Sequence, residues 1–136
     1  KKAYKWALAK GYSHAFVAYT DTYIIVPRLL QSDFEQHDYY GRQDCEGRCF
    51  AGGGMGYWLS RAAMELLAPL EPAPHIYSDE DDGYKLARLG IHVVNDNRFG
   101  GDIFTDGISA HLSKSTGVYD PETMRDLHRS FLCSVP

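Results

Sequence analysis

The sequence predicts an α/β layer fold in a single domain spanning residues 1–136. Three observations carry this expectation. Short apolar or β-branched runs at 14–19, 23–26 and 91–94 alternate with stretches of helical periodicity. Proline and glycine stand where the elements should end. Hydrophobic residues make up 44% and charged residues 24% of the 136 positions, enough for one domain with a real core.

The elements follow in order. Residues 1–10 read as a helix with Tyr4, Ala7 and Leu8 on one face, ended by Gly11. His14–Tyr19 reads as a buried strand, bounded by Gly11 and by Thr20-Asp21. Tyr23–Val26 is β-rich, and Pro27 suits the first turn of a helix through Leu30. Tyr39–Gln43 reads as a strand and Asp44–Arg48 as a turn. Ser60 can cap a helix over Arg61–Ala68 whose apolar face is Ala63, Leu66 and Leu67. Pro69, Pro72 and Pro74 stop that helix and stiffen a loop. Asp79–Asp82 then opens a helix through Leu89, closed by Gly90, because exposed N–H groups at a helix start favour acids. Ile91–Val94 reads as a strand and Arg98–Gly107 as a loop. Asp120-Pro121-Glu122 starts a last helix to about Leu132, with Met124, Leu127 and Phe131 inward.

Charge and composition exclude several functions. A formal net charge of −4 with no basic run argues against a nucleic-acid partner. No stretch reaches the roughly 20 apolar residues of a membrane span. The start, Lys1-Lys2-Ala3-Tyr4-Lys5-Trp6, lacks the apolar core of a signal peptide and an initiator Met, which fits a trimmed or incomplete product. Of three cysteines, Cys45 and Cys49 either form a disulfide or serve as unpaired small hydrophobes. No second Cys or His pair has zinc-ligand spacing.

The most informative stretch is Phe50-Ala51-Gly52-Gly53-Gly54-Met55-Gly56-Tyr57-Trp58-Leu59-Ser60. Glycine sacrifices backbone entropy and contributes no packing, so such a cluster marks a tight bend or a close approach to a ligand. The flanking aromatics, Tyr57 and Trp58 among them, are suited to sugar or nucleotide stacking and equally to an ordinary core. Asp21 follows a predicted strand, at the end where α/β sheets bind ligands, and its oxygens suit Mg²⁺ or Mn²⁺. A turn cap would use the same residue. Crowding among Asp79, Glu80, Asp81 and Asp82 can prepare a general base, although most of such a block should be a solvated helix start. His111 is a metal-ligand candidate.

Taken in order, these pieces resemble the fringe-like and β-1,3-galactosyltransferase-like glycosyltransferases. That family has a strand ending in Asp-Asp-Asp-Thr-Tyr-Val, and here Tyr19-Thr20-Asp21-Thr22-Tyr23-Ile24 stands in its place. The family's Phe-x-x-Gly-Gly-Ala-Gly-Tyr is similar to Phe50-Ala51-Gly52-Gly53-Gly54-Met55-Gly56-Tyr57. Its acid pair before a helix and Leu-Gly-Ile/Val resembles Ser78-Asp79 through Leu89-Gly90-Ile91. The resemblance covers most of residues 1–112. It implies a GT-A fold with a mixed sheet flanked by helices, the N-terminal nucleotide-binding portion missing from this chain and the nucleotide site completed by a second chain or a missing segment. It implies an inverting transfer from a UDP-sugar to a hydroxyl of a glycan or protein acceptor, with Mn²⁺ or Mg²⁺. Asp79 matches the family's base, and Asp21 the last acid of its metal motif. Gly53 and Gly54, with Tyr57 and Trp58, match the segment that approaches donor and acceptor. His111 is the candidate for a late metal-binding histidine. A Golgi lumen would follow for a trimmed eukaryotic catalytic domain, and a cytoplasmic location otherwise. Tyr19, Thr20 and Ser78 replace family acids. The alternative is therefore a catalytically impaired relative that binds a glycan or protein through the same cleft, and a metal-dependent hydrolase using Asp21 and His111 is a third class.

Overall fold

The computed structural model describes residues 1–46, 48–112 and 120–134. Along the chain run α1 (Lys2–Ala9), β1 (His14–Val17), β2 (Thr22–Ile24), α2 (Val26–Leu30), a 3-10 turn (Phe34–Gln36), β3 (Tyr39–Gly41), β4 (Gln43–Glu46), β5 (Arg48–Ala51) and β6 (Tyr57–Ser60). Then follow α3 (Arg61–Leu67), α4 (Ser78–Arg88), β7 (Val94–Asn95), β8 (Ser109–His111) and α5 (Pro121–Ser134). The main sheet has the order β1-β6-β3-β7, and two further pairs are β2-β8 and β4-β5. β6 pairs antiparallel with β1 and β3, while β3 and β7 run parallel, so the sheet is mixed. The architecture is a mixed α/β fold, with helices against the sheet.

Strand side chains point to alternate faces, and the three long strands of the main sheet use both. Val17, Tyr39, Tyr57 and Leu59 join α1, α3 and α4 in one core cluster. Phe16, Tyr40 and Trp58 join Leu29, Met55, Phe99 and Ile108 in a second. A third cluster packs Tyr23, Ile25, Ala110 and Leu112 against Met124, Leu127 and Phe131 of α5, the inward face the sequence predicts. Ser60 caps α3 by accepting a hydrogen bond from Ala63 N, and Asp120 accepts from Glu122 N and Thr123 N at the start of α5.

Several expectations are corrected. The first strand is shorter than His14–Tyr19 and half-buried, since it lies at the edge of the sheet. Only Val94–Asn95 pairs within the predicted strand at 91–94. Asp44–Glu46 and Arg48 are strand residues of an antiparallel pair rather than a plain turn, with Cys45 opposite Cys49 and joined to it by a disulfide. Residue 47, within that predicted turn, lies outside the described residues. The inward face of α3 is Ala63, Met64 and Leu67, whereas Leu66 is 40% exposed.

The acidic block departs furthest from expectation: Asp79, Asp81 and Asp82 are all buried. Asp82 accepts from Tyr4 Oη and Lys1 Nζ of the first helical segment and from Tyr57 Oη at 3.3 Å. Asp81 accepts from Lys85 Nζ at 2.7 Å, with Lys1 Nζ at 3.7 Å. These acids therefore anchor α4 to α1 and the sheet. Burial alone would raise the Asp81 carboxyl, but the Lys85 hydrogen bond and the neighbouring positive charges outweigh it and hold it below the usual range.

Leu67 is fully buried, so Leu67→Ala should cost about 2–5 kcal/mol in urea denaturation, whereas Leu66→Ala should stay within about 0.5 kcal/mol of the parent. Equal losses would refute the assigned face of α3. The depressed Asp81 carboxyl adds stability that is present above its unfolded value near 4 and lost as pH falls through its lower folded value. Asp81→Asn should therefore flatten the acid limb of a stability–pH profile below about pH 4.

Candidate functional site

The glycine stretch forms the tight turn between β5 and β6. Gly52 O accepts from both Met55 N and Gly56 N at 3.1 Å, and Gly56 has φ +81°. Glycine is required here by neighbours as much as by torsion. A Cβ on Gly53 would lie 2.7 Å from the Tyr19 ring, and one on Gly54 2.4 Å from the His111 imidazole. The turn is thus pressed flat beneath two side chains supplied by other parts of the chain.

Those side chains come from the β2–β8 ribbon and the loop before it. Thr22 lies opposite His111 in the antiparallel register, which brings Asp21 beside the histidine. Leu112 N donates to Asp21 O at 2.9 Å, and Thr22 Oγ1 donates to Gly54 O at 3.0 Å. His111 Nε2 and Asp21 Oδ2 are then 2.8 Å apart. At that distance the two are hydrogen-bonded, and their mixed imidazole–carboxylate donors suit a transition ion such as Mn²⁺ better than Mg²⁺. No group of three His, Cys, Asp or Glu able to hold a metal occurs among the described residues. The pair by itself supplies two of the ligands an ion would need.

Asp79 stands in the first turn of α4, facing the same glycine turn. Its Oδ2 accepts from Gly53 N at 2.6 Å, and its Oδ1 from Tyr19 Oη at 2.8 Å. Tyr19 N in turn donates to Gly53 O at 3.1 Å. Burial, reinforced by the Asp79 carboxylate, raises the Tyr19 phenol above its ordinary value of 10, so it stays a donor through the neutral range.

A cleft of about 410 Å³ is lined by Tyr19, Gly54, Asp79, Glu80 and His111, while Asp21 and Gly53 lie behind those walls. A second lobe of about 350 Å³ continues past His111, Met55 and Asp44 to Arg42 and Gly100. The structure thus brings Asp21, Gly53, Gly54, Asp79 and His111 to one place. It does not bring Tyr57 or Trp58 there, which corrects their expected contact with a ligand. β6 is central, so both its faces are covered: Tyr57 is 1% exposed beside Tyr39, and Trp58 stacks on Phe34 with ring centroids 4.1 Å apart.

Sequence reasoning missed Arg42 and Asp44 as cleft residues and saw Tyr19 only as a departure from a motif. The signal for the first two was the pair Cys45 and Cys49, spaced symmetrically about Gly47, which marks a hairpin that would carry its neighbours to a rim. Tyr19 had no such signal, because its partner Asp79 is distant in sequence.

Gly54→Ala should drive the imidazole off Asp21, readable as a changed ring ¹⁵N shift of His111 by NMR. An unchanged shift would refute the packing described for the turn. No protein-family model matches this chain, and no curated protein matches it either.

Proposed function

We propose that this chain is a metal-dependent glycosyltransferase of GT-A type that moves a sugar, with inversion, from a nucleoside diphosphate donor to a hydroxyl acceptor. The observation that carries the reading is that Asp79 is bonded to the glycine turn on which the Asp21–His111 pair also rests. Asp79 and His111 thereby line one cleft, with Asp21 behind the imidazole at hydrogen-bond distance.

The chemistry follows from those positions. An acceptor hydroxyl would take the place of the Tyr19 phenol on Asp79 Oδ1, the oxygen whose donor is a side chain rather than fixed backbone. The acceptor oxygen forms the new bond to the anomeric carbon. The bond from that carbon to the diphosphate oxygen breaks, its electron pair leaving with the diphosphate. The acceptor proton passes to Asp79. Asp21 and His111 would hold Mn²⁺ or Mg²⁺, which when bound neutralises the diphosphate. The disulfide at the cleft rim suits an oxidising compartment such as the secretory lumen.

The second reading, a non-catalytic glycan- or protein-binding relative, is favoured by one observation. The Tyr19 phenol already occupies Asp79, and Tyr19 itself stands where the family has an acid. Transfer assays over a panel of UDP-sugars with Mn²⁺ separate the two. Asp79→Asn should lower transfer by about 10²–10⁴-fold with the far-UV circular dichroism unchanged. Full activity in that variant would remove Asp79 from the role of base. Mn²⁺ with UDP at 100 times its Kd should stabilise the fold by about 2.7 kcal/mol, and no shift in Tm at millimolar ligand would favour the binding module.

A further inference from the structure

The second lobe of the cleft holds a cation that nothing above uses. Arg42 is half-buried, and its Nη1 donates to Gly100 O at 3.2 Å. It forms no ion pair among the described residues, unlike Arg61 with Glu65 or Arg98 with Asp96. A guanidinium has five N–H donors, so most of this one's capacity is unspent while it lines a cavity. Its backbone is held on both sides: Gly52 N donates to Arg42 O at 3.4 Å, and Gln43 N donates to Asn95 Oδ1 at 2.8 Å. The side chain therefore starts from a fixed point, and its tip is tethered at the lobe wall.

The position of the lobe says what would reach it. Displacement with inversion puts nucleophile and leaving group on opposite sides of the anomeric carbon. Asp79 lines only the first lobe, Arg42 only the second, and His111 lies between them, lining both. Asp79 marks the nucleophile's side, so the far side belongs to the leaving group. We propose that Arg42 binds the diphosphate of the donor and takes up charge on it as the glycosyl bond breaks, an inference that rests on the glycosyltransferase reading. The pairing suits guanidinium chemistry, since its planar fork matches phosphate oxygens two at a time. Diphosphate binding should then draw on Arg42 together with a divalent ion at Asp21 and His111.

Calorimetry without acceptor tests this, using inorganic diphosphate and inorganic sulfate, each with Mn²⁺, on the intact chain. The parent should bind diphosphate more tightly than sulfate. Arg42→Gln should weaken diphosphate about 10- to 100-fold, with Arg42→Lys intermediate. Unchanged diphosphate affinity in Arg42→Gln overturns the role of Arg42 while leaving the glycosyltransferase reading standing. Absence of diphosphate binding in the parent at millimolar concentration overturns this proposal, while the transfer assays over UDP-sugars judge the reading itself. Thermal melts of both variants guard against misfolding, because Arg42→Lys keeps a donor for Gly100 O.

Discussion

Three rings lie where three glycines lack side chains, and the rest of the site depends on that fit. Tyr19 covers Gly53, His111 covers Gly54, and Phe16 lies 2.2 Å from where a Cβ on Gly56 would stand. The rings come from the loop after β1, from β8 and from β1 itself. One short turn thus fixes the main sheet relative to the β2–β8 ribbon, with which it shares no strand pairing. Interiors are packed to crystal-like density, so even one methyl group at any of these positions must move a ring. The same contact that closes the core also sets Asp21, His111 and Asp79 around a common floor.

Helix α4 completes the arrangement by a costly device. Three buried carboxylates in its first turns would be destabilising unless each found donors, and each does. Asp82 takes its donors from the first helical segment and Tyr57, Asp81 from Lys85, and Asp79 from the glycine turn and Tyr19. Asp82 and Asp79 tie the start of the helix to the first helical segment, β6, the glycine turn and Tyr19, while Lys85 pairs with Asp81 from within the helix. Such ties specify one placement of α4 more strictly than apolar packing alone, and placement is what a site built on its first turn requires.

Local chemistry was legible in the sequence, and long-range pairing was not. Ser60, Asp120 and Gly90 act at the helix ends where their residue types place them, because caps depend on a few neighbouring backbone groups. The glycine turn was legible for the same reason. The acidic block read as solvated because the partners of Asp79 and Asp82 lie far away in the chain. Leu66 and Met64 could not be ranked from periodicity, since both fall within a turn of Ala63 and only the packing of α1 and α4 decides between them. Tyr57 and Trp58 read as stacking platforms because their strand's central place in the sheet depends on β1 and β3 together. The candidate site was legible as a set of residues, while its second lobe, formed where the hairpin meets Gly100, had no motif to announce it.

The bond from Tyr19 to Asp79 has a further consequence. A buried carboxylate that loses its donor and gains none in return is left stranded at considerable cost. A molecule can reach Oδ1 only by exchange, offering a hydrogen of its own for the phenolic one. Two candidates of equal shape, one with a hydroxyl at that point and one with a methyl or a bare ring edge, would thus be sorted before any bond is made. The phenol is in this sense a stand-in already bound, and the fold screens its visitors by what they can give.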